Sequence, residues 1–200
     1  EIFALSSGFT LFAGVGMALT SRTKGIKLSI RQAFFMTTSS WTFLVLFASI
    51  PFQFSQTELS FTDAIFESMS GLTTTGSTVI PNLNEQLPGI LIWRALLQWL
   101  GGVGIIVMAL AVLPMLSIGG MQLFKTESYE TPDKVVPKAA SFAAGISIVY
   151  ITLTVIWAFM LWGAGMPIFD SIAHAMTTLA TGGYSTKSES LAAFNSSTIE

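Results

Sequence analysis

The chain contains no cysteine. A disulfide framework, a thiol nucleophile and a cysteine-ligated metal are therefore excluded. It has a single histidine, His174, which cannot build a metal site alone. Charge is nearly as scarce: 10% of residues are Asp, Glu, Lys or Arg, against about 25% in soluble domains. A soluble fold of 200 residues could not cover its surface with so few charges. With 52% hydrophobic residues and a mean hydropathy of +0.68, the composition is that of a polytopic membrane protein. Gly-x-Gly-x-x-Gly, phosphate-loop and Gly-x-Ser-x-Gly patterns are also missing, so neither a nucleotide site nor a serine-hydrolase elbow is written into the chain.

What the chain does have is long apolar runs. Ile2–Leu19, Ala33–Phe54, Gly89–Leu116 and Ala139–Gly163 read as four membrane spans, given a hydrocarbon core about 30 Å thick. The first is not a secretory signal, because Glu1 stands where a basic region would be expected. Basic residues gather in two intervening loops, at 21–32 (Arg22, Lys24, Lys27, Arg31) and 117–138 (Lys125, Lys134, Lys138). The segments 55–88 and 164–190 carry one basic residue between them, Lys187. The positive-inside rule then puts loops 21–32 and 117–138 in the cytoplasm and the other two outside. With no initiator Met, and with Ser197-Thr-Ile-Glu200 reading as the start of another element, we take the chain as a piece of a longer protein.

The two outer segments repeat one another. Asp63-Ala-Ile-Phe-Glu-Ser-Met-Ser-Gly-Leu-Thr-Thr-Thr-Gly-Ser-Thr78 recurs 107 positions later as Asp170-Ser-Ile-Ala-His-Ala-Met-Thr-Thr-Leu-Ala-Thr-Gly-Gly-Tyr-Ser185. Six aligned pairs are identical: Asp63/Asp170, Ile65/Ile172, Met69/Met176, Leu72/Leu179, Thr74/Thr181 and Gly76/Gly183. Phe61–Leu72 and Pro167–Leu179 are helical in pattern but too short to cross, so they read as re-entrant half-helices. Ser60 with Asp63 resembles a capping box, and Pro167 suits the first turn of the second half-helix. Each half-helix runs into a Thr/Gly loop, its partly negative C-terminal end facing inward. Non-helical backbone at that depth must be buried in protein or line a water-filled cavity. Thr74-Thr-Gly-Ser-Thr78 and Thr181-Gly-Gly-Tyr-Ser185 can be laid against the Thr-Val-Gly-Tyr-Gly filter of potassium channels. There, rings of main-chain carbonyls replace the ion's water. The predicted fold is all-α and polytopic, with repeated helix–re-entrant pore loop–helix units.

Three stretches carry a family resemblance: Phe66-Glu-Ser-Met-Ser-Gly-Leu-Thr-Thr-Thr-Gly76, Trp93-Arg-Ala-Leu-Leu-Gln-Trp-Leu-Gly-Gly-Val-Gly104 with Ile105 and Ile106, and Ala180-Thr-Gly-Gly-Tyr-Ser185. Together they resemble the Trk/Ktr/HKT superfamily of potassium transporters, most closely its TrkH branch. The resemblance implies four helix–pore-loop–helix units around one pore, of which about two are present. Residues 1–20 would end a leading transmembrane hairpin, 33–116 would form the first unit, and 139–200 the second unit, incomplete. Thr74, Thr75, Gly76 and Ser77 would supply one quarter of a K+ filter, mainly through backbone carbonyls. Thr181, Gly182, Gly183 and Tyr184 would supply another. Glycine at position 76 goes with potassium in the family, serine in some plant members with sodium. The resemblance further implies potassium uptake without covalent chemistry or cofactor, a homodimer, a bacterial inner membrane, and a cytoplasmic nucleotide-binding ring of the TrkA kind docking on the 125–138 loop. It implies no nucleic-acid partner.

Several residues admit rival readings. Arg94 is the only basic residue inside a span, and Glu67 is the only acid of the first half-helix beyond Asp63. An ionisable group at such depth is normally paired, which predicts a Glu67–Arg94 ion pair behind the filter. The rival is an Arg94 that snorkels to the outer interface near Pro88. Gly101, Gly102 and Gly104 would serve close helix packing or a gating hinge. Other functions are a KdpA-type subunit feeding an ATPase and an intramembrane hydrolase using His174 with a serine.

Overall fold

The computed structural model describes residues 2–20, 29–55, 57, 59–116 and 135–199, with side chains omitted at 30, 33, 107–116 and 135–143. The described residues form helices and no strand. In chain order these are α1 (Ile2–Thr20), α2 (Ile30–Gln53), the half-helix α3 (Phe61–Leu72), α4 (Pro88–Leu116), α5 (Val135–Gly163) and the half-helix α6 (Ile168–Leu179). Short 3₁₀ turns at Leu83–Glu85 and Ser190–Phe194 follow the two loops. Four helices among the described residues are long and apolar enough to cross a membrane, so the chain is a multi-pass membrane protein. The basic loop residues at 21–28 and 117–134 lie outside the described residues.

Two helix starts fall earlier than expected. α2 begins at Ile30 because Ser29 accepts from the Gln32 backbone while Gln32 Oε1 accepts from the Ser29 N–H, a complete capping box. α5 begins at Val135, so the stretch read as loop up to 138 is helical at its end. At α3 the expected box forms, with Asp63 N–H donating to Ser60 Oγ at 3.2 Å and Ser60 N–H to Asp63 Oδ2 at 3.3 Å. Pro167 is the N-cap of α6 rather than its first helical residue.

α4 is the shared strut. One side of it packs with α2 and α3 around Val45, Phe52, Ala64, Leu72, Ile90 and Leu97. The other side meets α6 through Ala95, Ala173 and Met176. Large apolar side chains such as Phe12, Leu44, Ile148 and Phe159 point outward, as expected where the solvent is lipid. In that setting helices associate through small residues and internal polar bonds. Trp93 Nε1 donates to the Ala48 carbonyl at 3.1 Å, and Trp99 Nε1 to Thr154 Oγ1 at 3.0 Å.

The glycines of α4 follow the packing reading at two positions. A Cβ on Gly101 would strike the backbone of Leu72, and one on Gly102 would meet Ala180 and the Tyr150 hydroxyl. At Gly104 it would make only ordinary contact with Trp41. We expect Gly101→Ala to cost about 1–3 kcal/mol through overpacking against backbone, and Gly104→Ala to stay within about 0.5 kcal/mol. Thermal unfolding in detergent checks this, and equal melting temperatures for the two variants would contradict the close approach of α4 to the end of α3.

Candidate ion-filter site

Both half-helices end in the same way. Thr74 N–H donates to the Gly71 carbonyl at 3.0 Å and Thr75 N–H to that of Ser70 at 2.9 Å. In the second copy Thr181 N–H donates to Thr178 and Gly182 N–H to Thr177, each at 2.9 Å. These are Schellman endings, in which the residue after the cap takes a left-handed conformation and is usually glycine. Here it is threonine both times, with φ of 56° at Thr74 and 54° at Thr181. A β-branched residue in that region is an outlier, and such strain gathers at functional sites. Two residues on, Gly76 and Gly183 have φ of 83° and 78°, where a glycine avoids the steric penalty. The repeat seen in sequence is thus a repeat of backbone geometry.

The loops are held from behind by matched bonds. Thr78 Oγ1 is shared between Glu67 Oε1 and Oε2 at 3.0 and 3.1 Å, and Val79 N–H donates to Oε2 at 3.0 Å. At the aligned positions His174 Nε2 lies 3.0 Å from Ser185 Oγ. His174 Nδ1 lies 2.8 Å from the Asp170 carbonyl, which can only accept, so that nitrogen carries a proton. Ser185 Oγ, paired with Nε2, also accepts the Lys187 backbone N–H at 3.0 Å. Carboxylate and imidazole do one job in the two copies. The two aspartates do not: Asp63 caps its own helix, whereas Asp170 accepts from Thr186 Oγ1 at 2.6 Å.

α4 ties the copies to each other. Arg94 Nε donates to Glu67 Oε1 at 2.7 Å, and Arg94 Nη1 to the Ser185 carbonyl at 2.9 Å. Its guanidinium lies 4.0 Å from the centre of the Tyr184 ring. Arg94 and Glu67 are 1% and 0% exposed, so Arg94 does not snorkel. The Tyr184 hydroxyl is shared between the carbonyls of Glu67 and Ser77 at 3.0 and 3.1 Å. One turn along α4 from Arg94, Gln98 Oε1 accepts the Tyr184 N–H at 3.1 Å. The strands touch at glycine: a Cβ on Gly76 would collide with the Gly182 carbonyl oxygen. Beyond the loops, Leu83 N–H donates to Ser188 Oγ at 3.1 Å and links the segments that follow them.

The structure therefore brings Thr74, Thr75, Gly76, Thr181, Gly182 and Gly183 into two adjacent, similarly bent strands. Ser77 departs from its expected role. Its carbonyl accepts from Ser70 Oγ at 2.6 Å and from Tyr184, so it anchors the loop rather than offering a free oxygen. Sequence reasoning passed over Gln98, Ser70, Thr78 and Ser185. The signal for Gln98 was an amide in an apolar span four residues after Arg94, on the same helix face. Among the described residues no three of His, Cys, Asp or Glu come together as a metal site.

Four spanning helices and two half-helices that end in matched, strained loops define a pore-loop membrane protein. The family described as "TrkH: Cation transport protein" matches residues 2–200, and the chain belongs to it. It is 40% identical over 192 residues to the Trk system potassium uptake protein TrkI of Halomonas elongata, covering 96% of this chain and 39% of that one. It is 43% identical over 202 residues to the Trk system potassium uptake protein TrkH of Salmonella typhimurium, covering 98% and 42%. Among solved structures, the potassium transporter TrkH from Vibrio parahaemolyticus superposes with a TM-score of 0.87 at 39% identity, over 99% of this chain and 40% of that one. The chain thus spans about two-fifths of the length of these relatives.

Proposed function

We propose that this chain provides two adjacent quarters of a potassium-selective filter in the pore-forming subunit of an uptake system. The observation that carries the reading is the twofold occurrence of one geometry, a strained threonine followed two residues later by a positive-φ glycine at the end of a half-helix. The main-chain oxygens of Thr74, Thr75, Gly76, Thr181, Gly182 and Gly183, with Tyr184 completing the second strand, would stand in for a potassium ion's water. The negative ends of α3 and α6 favour a cation in front of them. Behind them the Glu67–Arg94 pair braces the loops. The ion moves down its electrochemical gradient, and no group on the chain needs to make or break a bond.

The relatives' names support potassium as the ion. Units three and four, a homodimer, a bacterial inner membrane, cytoplasmic loops at 21–32 and 117–138 and a TrkA-like nucleotide-binding ring complete the proposal. The KdpA-type alternative is disfavoured by the family match. The His174–Ser185 contact gives the hydrolase alternative its only foothold. In the first copy, however, a carboxylate makes the equivalent bond to Thr78, so the contact is a loop latch and not an activated nucleophile.

Gly183→Ser in the full-length protein tests the filter directly, because nothing lies within 4 Å of a Cβ there while the positive φ penalises any side chain. In cells lacking other potassium uptake systems, we expect sodium entry to rise or potassium uptake to fall by about tenfold or more, as a shift of about 1.4 kcal/mol at the ion sites produces. Parental rates for both ions would remove the filter assignment.

A further inference from the structure

We propose that Gln98 is a positioning residue that sets the direction of the Gly183 carbonyl and so tunes ion discrimination; this rests on the filter reading above. The argument begins with the Gly183–Tyr184 peptide. Its N–H donates to Gln98 Oε1 at 3.1 Å, and the described residues contain no cis peptide. In a trans peptide the N–H and C=O point in opposite directions. The Gly183 carbonyl is therefore turned away from α4 by the bond that ties Tyr184 to Gln98.

Tyr184 is anchored by its hydroxyl and by Arg94, but nothing packs against the Gly183 side of that plane. Gly183 has a φ of 78°, and the space where a Cβ would stand is empty for 4 Å. A glycine peptide without side-chain packing rotates freely unless a hydrogen bond fixes it. In the first copy the tie falls one peptide later, through Ser70 Oγ and the Tyr184 hydroxyl on the Ser77 carbonyl. Thr177, aligned with Ser70, turns its hydroxyl to the His174 carbonyl instead and leaves the second loop without that tie. Gln98 ties the second loop one peptide earlier, from the α4 side.

The amide's placement makes it common to both strands. It occupies the space where Gly182 would carry a Cβ, and its Nε2 is 3.7 Å from the equivalent point on Gly76. Gln98 is 0% exposed, and its Nε2 is a buried donor without a partner. A methionine would fill a similar volume without stranding a donor. The structural benefit of glutamine at this position therefore lies in the acceptor, Oε1, and not in packing.

The test compares Gln98→Met, Gln98→Asn and Gln98→Glu in the full-length protein, reading the sodium-to-potassium uptake ratio and the amount of folded protein in the membrane. Methionine removes the acceptor, and asparagine withdraws it by one methylene. A glutamic acid keeps an oxygen acceptor in place on a side chain of the same length. We expect the ratio to rise about tenfold for Gln98→Met and Gln98→Asn, and Gln98→Glu to recover to within about threefold of the parent, the range a single buried hydrogen bond commands. A parental ratio for Gln98→Met overturns the proposal, as does a Gln98→Glu ratio equal to that of Gln98→Met. If Gln98→Met does not reach the membrane, a parental ratio in Gln98→Asn overturns it equally. Gly183→Ser is measured alongside. A ratio unmoved by the serine sinks the filter reading itself, whereas a ratio moved by serine but not by the Gln98 variants sinks only the role of Gln98.

Discussion

Arg94→Met is expected to remove most of the folded protein from the membrane and to lower the melting temperature of what remains by about 10 °C or more. Both members of the Glu67–Arg94 pair are essentially without solvent. Removing one partner of such a pair leaves an uncompensated buried charge, at a cost of about 3–5 kcal/mol. That is a large share of a domain's usual stability of about 5–15 kcal/mol, and each kcal/mol shifts the melting point by about 2–4 °C at this size. The arginine also holds the second loop, through the Ser185 carbonyl at 2.9 Å and the Tyr184 ring at 4.0 Å. Lysine would be a poor substitute, because one ammonium cannot reproduce the fork that reaches Glu67 and Ser185 at once. The double variant Glu67→Gln/Arg94→Met leaves no stranded charge and should regain part of the loss. Scanning fluorimetry in detergent decides the matter: an Arg94→Met protein melting within 2 °C of the parent, on the scale set above, would mean that the pair does not brace the loops.

The pair was readable from sequence because Arg94 and Glu67 are isolated charges in segments that the bilayer otherwise keeps neutral. Low dielectric leaves such groups few stable arrangements besides pairing. The repeat was readable for a related reason: a half-helix with a Thr/Gly ending is a local pattern, and local patterns survive in sequence. The bonds on the Ser77 carbonyl were only partly legible, since Ser70 is near in sequence but the second donor is not. The Tyr184 hydroxyl arrives from 107 positions away, and no periodicity announces it. Gln98 was passed over because a neutral amide in an apolar span carries no charge to flag it, although it accepts the Tyr184 N–H. The start of α2 was read as loop from its basic residues, while the Ser29–Gln32 capping box that starts the helix spans only four positions. Asp63 and Asp170 align and yet diverge, one capping its own helix and the other held by Thr186. The preceding residues differ, serine at the first N-cap and proline, with no side-chain donor, at the second.

Gly76→Ala should be far more damaging than Gly183→Ala, although the two glycines are the same letter of the repeat. Both hold a positive φ, so alanine at either position meets a conformational penalty of about 1–2 kcal/mol. Only at Gly76 does the new methyl also run into backbone, the carbonyl oxygen of Gly182. That oxygen cannot swing aside as a flexible side chain would, because the Gly182 amide is bonded to the end of α6 and Gln98 packs against Gly182 from α4. Overpacking of this kind adds about 1–3 kcal/mol and drives the two strands apart where both would face an ion. Gly76→Ala is therefore expected to abolish potassium uptake and to melt several degrees below Gly183→Ala, which should keep measurable transport. Equal losses in the two variants would show that the strands do not touch at Gly76. The seam between the two copies, and with it the placement of Gln98 across that seam, would then have to be redrawn.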